Sequence, residues 1–151
     1  MKLQPLRVFL IGLITVLPYN LLAQDTQNTA SWEETVSYIQ ENINLLSNKQ
    51  ETVKATEHTL VKTEIMENEV YTFTILFKEL RLVEITDSIC DSCSWGLVVV
   101  TDTDKIKLSI DNKNYIHTHN YISLDYYPTT ISEDQLAVVK ALQHLSFLAS
   151  R

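Results

Sequence analysis

The sequence predicts an α+β domain: one helix, then a run of antiparallel strands, then a closing helix. Three observations predict it. Apolar residues recur every three or four positions from Trp32 to Leu46, they alternate with period two between His58 and Tyr127, and helical spacing returns from Leu136 to Leu148. Only short turns separate successive strands, which implies antiparallel pairing and not the long crossovers of a parallel sheet.

In chain order, residues 1–23 have the layout of a secretory signal peptide. Lys2 and Arg7 supply a positive start, Val8 to Leu17 is apolar apart from Gly12 and Thr15, Pro18 and Asn20 break the run, and Leu21-Leu22-Ala23 ends on a small residue. Cleavage is expected between Ala23 and Gln24. The run is about half the roughly twenty apolar residues that a spanning helix needs, so a retained anchor is the rival that length disfavours. Residues 24–30 are polar and aperiodic and read as a flexible leader. Residues 31–151 then form a single domain, exported to the periplasm or beyond, with no stable membrane insertion after cleavage.

Ser31-Trp32-Glu33-Glu34 is a capping box, and Trp32, Val36, Ile39, Ile43 and Leu46 make one apolar stripe on a helix of about four turns. About six strands follow in a meander. Leu60–Met66 and Val70–Phe77 are joined across Glu67-Asn68-Glu69, with Tyr71, Phe73, Ile75 and Phe77 on one face. Leu80–Thr86, Gly96–Asp102 and Lys105–Ile110 come next, the last two meeting at Thr103-Asp104. Asp111-Asn112-Lys113-Asn114 is a turn cluster, and Tyr115–Tyr127 is a final, bent strand. After Pro128, Ser132-Glu133-Asp134-Gln135 is a second capping box opening an amphipathic helix of four to five turns. The sheet is expected to bury one face under the two helices; a half-barrel of the pleckstrin-homology kind is the alternative.

Composition narrows the function classes. Apolar content of 45% and charged content of 21% suit one globular domain. Twelve basic residues face nineteen acidic ones, a net of −7; losing Lys2 and Arg7 with the leader leaves ten against nineteen, or −9. That field repels phosphate backbones and anionic headgroups, so nucleic-acid binding is disfavoured. Two glycines leave no room for a phosphate-cradling loop, and no Gly-x-Ser-x-Gly elbow is present.

Two constellations could carry chemistry. Cys90-Asp91-Ser92-Cys93 suits a disulfide, a redox couple or half of a metal site. The segment after it, Leu97 to Val100, reads as a strand, so no helix dipole follows to stabilise a thiolate. In an oxidising compartment the expected state is a small structural disulfide pinning a loop. His117 and His119 share one strand face, as metal ligands often do, with Asp125 or a cysteine as a possible third ligand. In the simplest register Ile116, Ile122, Leu124 and Tyr126 face inward, sending Tyr115, His117, His119 and Tyr121 to solvent; a polar outer face is the plainer reading. His58 begins a strand, and His144 falls at the margin of the last helix's buried face. Tyr71, Phe73 and Phe77 read as core.

Ser31-Trp32-Glu33-Glu34-Thr35, Phe77-Lys78-Glu79-Leu80 and Lys140-Ala141-Leu142-Gln143-His144-Leu145 together resemble small exported proteins of unknown function from Gram-negative bacteria. The resemblance implies export and a helix–strands–helix order, and it brings no catalytic residues with it. The expected function is therefore a non-enzymatic binding or interaction module with a protein or small-molecule partner and no cofactor. The alternatives are a thiol–disulfide protein using Cys90 and Cys93 and a metal-binding protein using His117 and His119.

Overall fold

The computed structural model describes residues 29–48, 50–86, 95–102, 104–111, 113–126 and 130–151. Helix α1 (Trp32–Asn42) and helix α2 (Glu133–Ala149) flank eight strands in two antiparallel sheets, an α+β fold that is not a closed barrel. The larger sheet is ordered β1-β2-β3-β6-β7, with β1 (Glu51–Ala55), β2 (Thr59–Met66), β3 (Glu69–Leu76), β6 (Ile106–Ile110) and β7 (Lys113–His119). The smaller is β4-β5-β8, with β4 (Leu80–Thr86), β5 (Trp95–Thr101) and β8 (Tyr121–Tyr126).

Both helices begin as their capping boxes require. The Glu34 amide donates to the Ser31 hydroxyl at 3.2 Å and the Ser31 amide donates to the Glu34 carboxylate at 2.8 Å. Ser132 and Gln135 repeat the exchange at 3.1 and 3.0 Å. The first helix is shorter than its apolar stripe suggests, because Ile43–Leu46 is a 3-10 turn. Asn42 donates to the Tyr38 carbonyl at 2.9 Å, and the tighter turn eclipses positions three apart, so Ile43 and Leu46 both enter the core. α1 packs against α2, and α2 packs on β4. Ile39, Leu46, Leu60, Ile75, Phe77, Leu80, Leu97, Ile106, Leu124, Leu142 and Leu145 form the fully buried centre.

The described residues form eight strands where about six are expected, for two reasons. β1 lies in a stretch with little apolar pattern, and the bent final strand is two strands in different sheets. Thr101 of β5 donates its amide to the Asn120 carbonyl at 2.8 Å, and Ile106 of β6 pairs with His119. β5–β6 and β7–β8 are thus one long ribbon, interrupted on one side between Thr101 and Ile106, and it turns from the small sheet into the large one at Asn120. Arg81 of β4 holds the start of that interruption, with Nε 2.8 Å from the Asp102 carboxylate. Phe77–Glu79, read as the end of a strand and its sequel, is a second 3-10 turn with Phe77 buried.

The free edge of β1 is occupied by the chain that precedes it. The Ser47 hydroxyl accepts from the Val53 amide at 2.8 Å and donates to the Val53 carbonyl at 3.4 Å. Asn48 donates its amide to the Glu51 carbonyl at 2.8 Å. An edge whose ladder groups are already bonded is a poor template for another chain.

Candidate functional site

One face of the large sheet changes character along its strands. At the end nearest the helices, Leu60 and Ile75 stand opposite each other and are fully buried. One step along, Val53, Lys62, Phe73 and Leu108 form a row across β1, β2, β3 and β6. One step further the row is Glu51, Glu64, Tyr71 and Ile110. Lys62 is 5% exposed, an unusual position for an ammonium unless it is paired.

Its Nζ lies 2.6 Å from a Glu51 oxygen, 2.6 Å from a Glu64 oxygen and 2.8 Å from the Ser123 carbonyl, and 5.5 Å from the centre of the Phe73 ring. An ammonium has three donors, and all three are used. The Ser123 bond joins the two sheets. Hydrogen-bonded and non-bonded pairs alternate in an antiparallel ladder; since Thr101 bonds Asn120, Val98–Ser123 is a non-bonded pair, and the Ser123 carbonyl points off the free side of β8. Lys62 caps that edge while neutralising two carboxylates that face each other across β1 and β2. The Asn48 side-chain amide holds the second oxygen of Glu51 at 2.8 Å. With every donor committed internally, this cluster holds the fold together and offers nothing to a ligand. Sequence reading passed over it; the available signal was charge at Lys62 and Glu64 on the face that Leu60 places inward.

Uncommitted chemistry lies beyond it, at the β2–β3 turn. Glu67 and Asn68 have φ of 49° and 70°, the left-handed pair that a two-residue hairpin turn demands. The turn is one residue shorter than predicted, because Glu69 belongs to β3. Ile65 and Val70 face each other across the hairpin, 66% and 38% exposed, with Met66 also exposed. The tip is tied down by Asp111, φ 47°, which accepts from the Val70 amide through its carboxylate and donates its own amide to the Val70 carbonyl, each at 2.9 Å. The Tyr71 hydroxyl donates to Glu69 at 3.0 Å. That bond, with some desolvation and the nearby charges of Glu69, Glu67 and Asp111, raises the Tyr71 pKa above the usual tyrosine value. Three carboxylates therefore lie around the Tyr71 hydroxyl, while Ile65 and Val70 project from the opposite face of the hairpin.

At the other end of the hairpin, Trp32, His58, Leu76, Phe77 and Lys78 line an open cleft of ≈ 430 Å³ with a mainly apolar surface. No family model, curated protein or solved structure matches this chain. Residue roles therefore rest on its own geometry.

Of the residues singled out from the sequence, Cys90 and Cys93 lie outside the described residues, as does the 1–23 segment. His119 is exposed, pairs in register with Ile106, and meets the Phe73 ring edge-on at 6.1 Å. His117 takes the register position opposite Leu108, and its side chain lies outside what is described, as do those of Tyr115, Ile116, Asp125 and Tyr126. Among the described residues no group of three or more His, Cys, Asp or Glu is placed to hold a metal. Ile122 and Leu124 face inward and Tyr121 outward, as the alternation requires. His58, expected to begin a strand, sits in the turn just before β2, which starts one residue later at Thr59. His144 is 9% exposed and donates Nε2–H to the Ala30 carbonyl at 2.9 Å, tying the start of the domain to α2. Phe77 is buried, whereas Tyr71 and Phe73 are half-buried at the margin between core and charge.

Proposed function

We propose that this protein is an exported, non-enzymatic interaction module that docks a protein partner through the β2–β3 turn. The observation that carries the reading is the exposed Ile65–Val70 pair on a tip fixed by three left-handed residues. Left-handed backbone at non-glycine residues costs free energy and tends to persist where geometry matters for function. A pre-formed tip also loses little conformational freedom on binding. Glu67, Glu69 and Asp111 make the same tip acidic, which favours a partner whose apolar patch is rimmed by lysine or arginine. The acidic net charge of the chain points the same way and away from nucleic acid. Export is supported by the 1–23 pattern and by the likeness to small exported proteins; no helix among the described residues is long and apolar enough to cross a membrane.

The test is photo-crosslinking in living cells, with the crosslinker at position 65 and, as control, at exposed Tyr38 on α1. A discrete adduct is expected from position 65 alone, from protein whose N-terminus is Gln24, and it should weaken when Glu67→Lys and Glu69→Lys are added. Equal adducts from both positions, or none from position 65, overturn the proposal.

A further inference from the structure

We propose that the cleft at the opposite end of the β2–β3 hairpin is a second, independent binding site. Its ligand is a small amphiphilic anion, with an apolar body against Trp32 and Leu76 over the buried Phe77 and a carboxylate-type head group on Lys78. The volume of ≈ 430 Å³ lies within the roughly 300–1,000 Å³ of small-molecule sites, and the mainly apolar lining with a cation at the rim is how such sites combine affinity with orientation.

Each wall is held by bonds that do not involve the cleft. The capping box fixes Trp32 as the first residue of α1. The Phe77 amide donates to the His58 carbonyl at 2.9 Å, extending the β2–β3 ladder by one bond below Thr59. The loop carrying His58 is folded around the Thr56 hydroxyl, which accepts from the His58 and Thr59 amides at 3.3 and 3.0 Å. The Lys78 carbonyl is held by Arg81 at 3.2 Å. Among the described residues, two charged or titratable groups line the cleft, Lys78 and His58. The His58 Nε2 lies 4.0 Å from the Glu57 carboxylate, so Lys78, which forms no ion pair among the described residues, supplies the counter-charge. Eight-residue strands place the cleft roughly 23 Å from the β2–β3 turn, so occupancy of one end leaves the other open.

The probe is sodium decanoate, titrated into the protein as the cell processes it and followed by tryptophan fluorescence and calorimetry. Trp95 is buried at 5%, so a saturable fluorescence change is expected to come from Trp32 and to vanish in Trp32→Phe while calorimetric binding persists. Octanoate should bind about fifteenfold more weakly than decanoate, since each methylene changes affinity about fourfold. Lys78→Gln should weaken decanoate about fivefold and leave decan-1-ol unchanged, which also shows that the variant is folded. No saturable binding, a signal that survives Trp32→Phe, or equal loss of acid and alcohol in Lys78→Gln each overturns the inference. None of these results touches the crosslink at position 65.

Discussion

Tyr71 shows how much one residue can report about its surroundings. Its hydroxyl donates to Glu69, and Glu67 and Asp111 add negative potential, so ionising the phenol places a charge among three carboxylates. The folded-state pKa is raised, so the folded chain holds this proton more tightly than the unfolded one. The interaction is intact below the ordinary tyrosine value of about 10 and is lost as pH rises through the raised value. Ultraviolet titration at alkaline pH should show one tyrosine ionising late; Tyr71→Phe should remove that component and Glu69→Gln should move it back toward the ordinary range. A profile unchanged by Glu69→Gln means the bond does not form. The alternation Tyr71-Phe73-Ile75-Phe77 was legible as one face. The gradient along that face, from buried Phe77 to half-buried Tyr71, was not, because it depends on where the helices stop covering the sheet.

At the scale of elements, hairpins and caps followed local chemistry closely. Ser31 and Ser132 announced both helix starts, and the polar break after Met66 announced a turn. β1 escaped because only Val53 and Ala55 in Glu51–Ala55 are apolar, so its strand character comes from pairing with β2 and not from pattern. The 3-10 end of the first helix escaped for a similar reason: three- and four-residue spacings look alike until packing selects the tighter turn. The β2–β3 turn offers a direct test. Asn68 holds φ 70°, where glycine is favoured, so Asn68→Gly should stabilise the protein by about 0.5–1 kcal/mol in urea unfolding. A loss of stability would mean that the Asn68 side chain makes a contact worth more than the relief of strain.

At the scale of the whole molecule, the decisive residue is Lys62, since it spans the gap between the sheets. Lys62→Met removes the only positive charge that contacts Glu51 and Glu64 among the described residues and uncaps the Ser123 carbonyl, and it should cost about 3–5 kcal/mol in urea denaturation. Adding Glu51→Gln and Glu64→Gln should recover much of that loss, because the penalty comes chiefly from stranding two buried carboxylates. If the triple variant is no better than the single one, the cap on β8 is what matters. The α+β class, the positions of both helices and the inward set Ile75, Phe77, Ile122 and Leu124 were all readable from period and capping, since these depend on neighbours within a few residues. The division into two sheets, the turn of one ribbon at Asn120, and the partnership of Lys62 with residues as distant as Ser123 were not. Those contacts join segments far apart in the chain, and which of them form depends on how whole faces pack, a choice that no local window of residues encodes.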